Sequence, residues 1–158
     1  MRDWVEATAS RLLAREQRLA VAESCTGGLL AAQLTARAGA SRWFERGFVV
    51  YSNAAKQDLL GVKAATLEQH GAVSEAVVRE MVEGALVRSN AQWAVAITGI
   101  AGPDGGTPDK PVGTVWIAWA GPGALERCQQ HRFSGSRESV RQQAVQAALA
   151  RLAALLTA

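Results

Sequence analysis

The run Val21-Ala22-Glu23-Ser24-Cys25-Thr26-Gly27-Gly28 constrains this chain more than any other stretch. Residues 18 to 22 are apolar enough for a buried strand, and Leu29, Leu30 and Leu34 then recur at helical spacing. Three small side chains and two glycines fill the junction, so another molecule can come close to the backbone there. The first amides of a helix have no intrahelical acceptor, which makes such a junction a seat for an anion or a developing oxyanion. Ser24 therefore has two physical uses, as a nucleophile or as an ordinary helix N-cap. Taken alone, the segment favours the cap.

The 158 residues suffice for one domain with a substantial core and are too few for two. At 49% hydrophobic and 20% charged, the chain reads as globular rather than disordered. No apolar run reaches membrane-spanning length, and residues 1 to 6 lack the apolar core of a signal peptide. Cytoplasmic residence without a membrane partner is the expectation. A formal charge of +3 and a pI near 9.3 raise the question of nucleic acid. The basic residues are scattered, however; Arg37, Arg42 and Arg46 form no uninterrupted cluster and aromatic residues do not interleave with them. A modest positive field suits a small phosphorylated substrate at least as well, and no nucleic-acid partner is expected. Cys25 and Cys128 are too far apart in sequence for a metal knuckle or redox pair, and both are expected reduced.

Asp3 and Glu6 resemble a capping pair, and Trp4, Val5, Thr8, Leu12 and Leu13 form an amphipathic stripe, which predicts a helix over 4–16. The helix after the glycine turn is expected to end near Gly39. Gly47 to Tyr51 reads as a second strand, followed by a short helix capped by Asn53 and stopped at Gly61. Residues 64 to 69 add a helical turn stopped at Gly71. Ser74 caps a helix whose core face is Val77, Val78, Met81, Val82, Ala85 and Leu86, with Arg79, Glu80 and Glu83 solvated. Trp93 to Thr98 is a central strand. The thirteen residues 99–111 hold three of the four prolines and four of the fifteen glycines, a loop long enough to read as a binding loop or a surface excursion. Residues 112–120 and 126–133 predict an antiparallel hairpin, and Ser136 opens a last helix with Val140, Ala144, Ala148, Leu152, Leu155 and Leu156 on its apolar face. The order α-β-α-β-α-α-β-β-β-α predicts a single-domain, three-layer α/β/α sandwich, its mixed central sheet combining parallel strands with an antiparallel hairpin. A homo-oligomer, first of all a dimer, is the expected assembly; Trp43 and Phe44 suit an interface and a core equally well.

Several chemistries fall away on spacing. Residues 105–110 do not match a phosphate loop, and Gly99-Ile100-Ala101-Gly102 is no dinucleotide fingerprint. His70 and His131 belong to no metal motif and read as surface or satisfied residues; a Ser-His-Asp triad would require the fold to bring one of them to Ser24. A nucleophilic Ser24 then needs a different base. Lysine serves when burial lowers its pKa, and the chain has only Lys56, Lys63 and Lys110. Lys56 follows the second strand. With the first two strands parallel, Ser24, Tyr51, Lys56 and Thr98 converge at one sheet edge, where α/β folds place their sites. The ordinary alternatives are a solvated Lys56 and a core-packed Tyr51. Arg137 and Arg141 sit in the opening turns of the last helix, where cations oppose the macrodipole. A bound anion would explain Arg137; Arg141 is better read as solvent-facing.

Residues 22–28, 51–56, 71–74 and 96–103, with Gly105-Gly106 and Lys110 to Val115, appear in the order of the CinA C-terminal domain family, which the chain resembles over nearly its whole length. That family includes nicotinamide-nucleotide amidohydrolases, which convert nicotinamide mononucleotide and water to nicotinate mononucleotide and ammonia. The resemblance implies a Ser-Lys amidase with a pyridine-nucleotide substrate and neither metal nor other cofactor. Ser24 is then the nucleophile and Lys56 the general base, with Tyr51 and Thr98 orienting the dyad or substrate. Cys25, Thr26, Gly27, Gly28 and Gly99 are expected around the substrate, and Arg137 on its anionic group. Two rivals stand beside it. One is a nucleotide-binding or competence-associated regulatory module without turnover. The other is a metal-dependent phosphohydrolase, for which Asp104 and Asp109 would need a ligand cluster.

Overall fold

Small and large side chains alternate along most of the three central strands, Trp116 excepted, and that alternation sets the layers. Among residues 3–157, which the computed structural model describes, the elements are α1 (Trp4–Arg15), β1 (Leu19–Glu23), α2 (Leu29–Leu34), β2 (Phe44–Val49), α3 (Asn53–Leu60), α4 (Ala64–His70), α5 (Glu75–Val87), β3 (Trp93–Gly99), β4 (Thr114–Gly121), β5 (Leu125–Arg132) and α6 (Arg137–Leu155). The sheet runs β2-β1-β3-β4-β5. β1 is parallel to β2 and β3, while β3–β4 and β4–β5 are antiparallel. The α/β class and the mixed sheet expected from the sequence are therefore present. No helix is long and apolar enough to cross a membrane among the described residues.

Successive residues of a strand face opposite sides of the sheet. Leu19, Val21, Trp93, Val95, Ile97, Val115, Ile117 and Trp119 all pack on one side, against α1, α2 and α6. The other side carries Ala22, Ala94, Ala96, Ala118 and Ala120, covered by Val77, Val78, Met81, Val82 and Ala85 of α5. On the first side the Trp119 indole also donates to Ala148 O at 3.0 Å, fixing α6 to β4. With alanine methyl groups beneath its centre, and Phe48, Trp116 and Cys128 at the margins, α5 lies close to the sheet, and α3 and α4 pack on α5 in turn. Trp43 joins the core on the α6 side, and Phe44 packs against it.

Local choices differ from the sequence expectations in instructive ways. β2 covers Phe44–Val49 rather than 47–51, because pairing with β1 ends at Glu23 opposite Val49. α2 ends at Leu34, well before Gly39. α4 is a full helix, so three helices rather than two connect β2 to β3. Ser52, not Asn53, caps α3: its hydroxyl accepts from Ala55 N, and Asn53 is already helical. Gly61 and Gly71 end α3 and α4, and Ser74 caps α5, as expected.

One glycine shows how closely the helices approach. A Cβ at Gly84 of α5 would overlap the carbonyl oxygen of Leu60 at the end of α3. Gly84→Ala is expected to lower stability by about 1–3 kcal/mol, read as a lower urea midpoint at unchanged m. A midpoint equal to that of the parent chain would show that the two helices separate without cost.

Candidate active site

The carboxyl ends of β1, β2 and β3 open on a cavity of about 260 Å³. Ser24 and Cys25 line it from the first strand end, Tyr51, Asn53 and Lys56 from the second, and Thr98 and Gly99 from the third. Ala72 and Val73, from the α4–α5 connection, close one side. Ile100, Ala101, Gly102 and Asp104 bring in the start of the long loop, and Arg137 reaches in from the first residue of α6.

Ser24 is not a helix cap. α2 begins only at Leu29 behind Gly28, which supplies no side-chain cap. The cap comes instead from Glu23, the last residue of β1. Its side chain points to the α2 side of the sheet, as Leu19 and Val21 do, and its two oxygens accept from Leu30 N and Ala31 N at 2.9 Å each. The anion seat at the helix start is thus filled by the chain's own buried carboxylate. Ser24 follows directly, its amide donating to Ile97 O at 3.0 Å and its hydroxyl left facing the cavity.

Lys56 occupies the inward stripe of α3, one turn before Leu60, and is only 1% exposed. It cannot snorkel to water from there. Its Nζ donates to Ser24 Oγ at 3.0 Å, Val50 O at 3.1 Å and Tyr51 O at 3.2 Å. Burial pushes its pKa below the ordinary lysine value. A neutral amine has two N–H groups and one lone pair. The two carbonyls accept both hydrogens, which leaves the lone pair directed at Ser24 Oγ; as an ammonium, the third hydrogen lies on the same axis. The Ser24–Lys56 axis is therefore one along which a proton can pass. Cys25 is a weaker nucleophile candidate. Burial pushes its thiol up to about 11, so it stays protonated at neutral pH.

Tyr51 lies at the surface, 61% exposed, rather than in the core. Its hydroxyl accepts from Arg137 Nη2 at 3.0 Å, while Arg137 Nη1 donates to Gly102 O at 2.8 Å. Two of the five guanidinium hydrogens are so engaged, and the group borders the cavity. Thr98 is buried, its hydroxyl donating to Ala72 O at 3.0 Å, which ties the α4–α5 connection to the end of β3. A Cβ at Gly99 would sit 3.1 Å from Cys25 Sγ and 2.7 Å from a Val115 methyl, so this strand end comes close to the Ser24 turn only as glycine.

Thr26, Gly27 and Gly28 do not line the cavity. Thr26 is fully buried, and the Gly27 amide donates to Ser24 O at 3.0 Å. Arg141 is not solvent-facing either; its guanidinium donates to Cys25 O and Thr26 O. Glu23 and Arg141 are the residues that sequence reasoning missed. The position of Glu23 at the buried end of a strand, seven residues before the amide it caps, was the available signal. For Arg141 only its unfavourable place in the opening turns of α6 pointed beyond solvent. Among the described residues no group of three or more His, Cys, Asp or Glu side chains could hold a metal ion.

The chain is similar to known proteins over nearly its whole length. The family model of the CinA C-terminal domain matches residues 2–156. A nicotinamide-nucleotide amidohydrolase PncC of Enterobacter agglomerans is 59% identical over 123 residues, covering 78% of this chain and 75% of the relative. The protein of the same name from Escherichia coli K12 is 54% identical over 144 residues, 91% of this chain and 87% of the relative. A crystal structure of a CinA superfamily protein from Klebsiella pneumoniae superposes with a TM-score of 0.92 at 46% identity, covering 99% of both chains.

Proposed function

The chain belongs to the CinA C-terminal domain family, and on that premise we propose that it is a nicotinamide-nucleotide amidohydrolase that converts nicotinamide mononucleotide and water to nicotinate mononucleotide and ammonia. The observation that carries this is the contact between Lys56 Nζ and Ser24 Oγ inside the strand-end cavity. Relatives that bear the name of this activity match most of the chain.

In the first step Ser24 Oγ attacks the carboxamide carbon, and its proton passes to Lys56 Nζ. The carbonyl π pair moves to oxygen, which becomes an oxyanion. The oxyanion collapses, the C–N bond breaks, and the Lys56 ammonium returns the proton to nitrogen, which leaves as ammonia. Water then attacks the Ser24 ester, Lys56 takes its proton, and Ser24 departs reprotonated with release of the carboxylic acid. Thr98 and the Ala72 carbonyl it holds shape the ring end of the cavity. Arg137 faces the phosphate, held in place by Tyr51 and Gly102.

Purified protein incubated with nicotinamide mononucleotide is expected to release ammonia and nicotinate mononucleotide in equal amounts; no product would refute the activity and favour a binding module. Arg137→Ala is expected to raise KM for the mononucleotide about 10- to 100-fold with kcat within threefold, as loss of charge-assisted hydrogen bonds to a phosphate requires. With nicotinamide riboside, which has no phosphate, the variant and parent should have the same KM. An equal rise for both substrates would place Arg137 elsewhere on the substrate.

A further inference from the structure

We propose that Arg141 is a positioning residue for the reaction: from outside the cavity it sets the Thr26 backbone amide, one of the donors suited to the oxyanion. This rests on reading Ser24 as the nucleophile. Arg141 lies on α6, one turn beyond Arg137. Its Nε donates to Cys25 O at 3.1 Å and its Nη2 to Thr26 O at 3.0 Å, so one planar guanidinium grips two consecutive carbonyls of the turn that carries Ser24.

A trans peptide points its N–H opposite to its C=O. Holding Cys25 O therefore turns the Thr26 amide away from the arginine, and holding Thr26 O does the same for the Gly27 amide. The Gly27 amide is accounted for, on Ser24 O. That of Ser24 is on Ile97 O, and those of Leu30 and Ala31 are on Glu23. The Thr26 amide has no backbone acceptor among the described residues, and the Cys25 amide lies only against its own Sγ. They follow Ser24 directly; Cys25 borders the cavity, and Thr26, which does not, supplies the N–H of the peptide that begins at the Cys25 carbonyl. Amides so placed suit the tetrahedral oxygen that forms once Ser24 has attacked. A cation on the carbonyl side of a peptide also polarises its N–H, so Arg141 strengthens the Thr26 donor as well as aiming it.

Anchoring α6 does not by itself call for this arginine. Val140, Ala144, Val145, Ala148, Leu149 and Leu152 already bury that helix, and Trp119 bonds Ala148 O. Arg141 does not border the cavity, so it acts on the substrate only through the turn.

The test is steady-state hydrolysis of nicotinamide mononucleotide by Arg141→Met and Arg141→Lys, with melting temperatures measured alongside and Ser24→Ala assayed in parallel. Arg141→Met is expected to lose on the order of 10- to 100-fold in kcat with KM within threefold, because the oxyanion exists only after binding. Arg141→Lys, which keeps the charge but not the fork, should fall between. A purely structural role would not give this split between kcat and KM with rescue by lysine. Wild-type kcat in Arg141→Met, or a rise confined to KM, overturns the proposal. Should Arg141→Met fail to fold, Arg141→Lys decides alone: reduced kcat at unchanged KM supports the role, and full kcat rejects it. Persistent turnover in Ser24→Ala would reject the nucleophile assignment underneath. An inactive Ser24→Ala beside a near-normal Arg141→Met would reject the role of Arg141 only.

Discussion

Replacing Ser24 with alanine is expected to cut ammonia release from nicotinamide mononucleotide by roughly 10⁴- to 10⁶-fold, the range for loss of a nucleophile that works as a unit with its base. The fold should survive. Among the described residues Ser24 Oγ bonds Lys56 Nζ, and that amine keeps Val50 O and Tyr51 O after the change. Losing one hydrogen bond costs about 1 kcal/mol, which moves the melting temperature by a few degrees. Cys25 offers no substitute nucleophile, since its buried thiol titrates near 11 and stays protonated. Ammonia release within tenfold of the parent rate would remove Ser24 from the chemistry.

Lys56→Met should be nearly as damaging, with kcat falling by about 10²- to 10⁴-fold for want of a general base. The pH dependence carries the sharper signature. A base must be neutral to act, so kcat/KM of the parent protein should rise with pH through a pKa below that of an ordinary lysine. The residual activity of Lys56→Met should lack that limb. Stability moves in a linked way. The folded protein binds the Lys56 proton less tightly than the unfolded chain does, because burial disfavours the ammonium. At neutral pH this costs stability, and the cost shrinks as pH rises toward the ordinary lysine pKa. The parent protein should therefore gain on Lys56→Met, which has no such group, in urea midpoint between about pH 7 and about pH 10. Parallel midpoints at both pH values would mean that the folded and unfolded chains bind the proton equally.

Much of this was legible in the chain itself, for physical reasons that differ by region. The apolar period of α5 and the Ser74 cap specify that helix outright. The convergence of Ser24, Lys56, Tyr51 and Thr98 follows from parallel strands whose ends share one edge. What periodicity could not show was which local group wins a contest. Ser24, Asn53 and Glu23 are all capping types or neighbours of a helix start, and only packing decides that Glu23 reaches α2 while Ser52 caps α3. The apolar look of Val50 and Tyr51 extends the second strand on paper. In the fold their carbonyls turn inward to Lys56 instead of pairing. Arg141 read as solvent-facing for a related reason, since its partners are backbone oxygens 115 and 116 positions away.

The alanine face of the sheet makes the two sides of the molecule unequal under mutation. On the tryptophan and isoleucine side, a side chain can be trimmed and the void endured, with Ser24 and Lys56 left where they are. On the alanine side nothing remains to trim, and any added bulk lifts α5 and, through it, α3 with Lys56. Five methyl groups thus act as the shim that gauges how far Lys56 stands from Ser24. Drift in catalytic rate without loss of fold should accumulate from that side of the sheet, and drift in stability without loss of rate from the other.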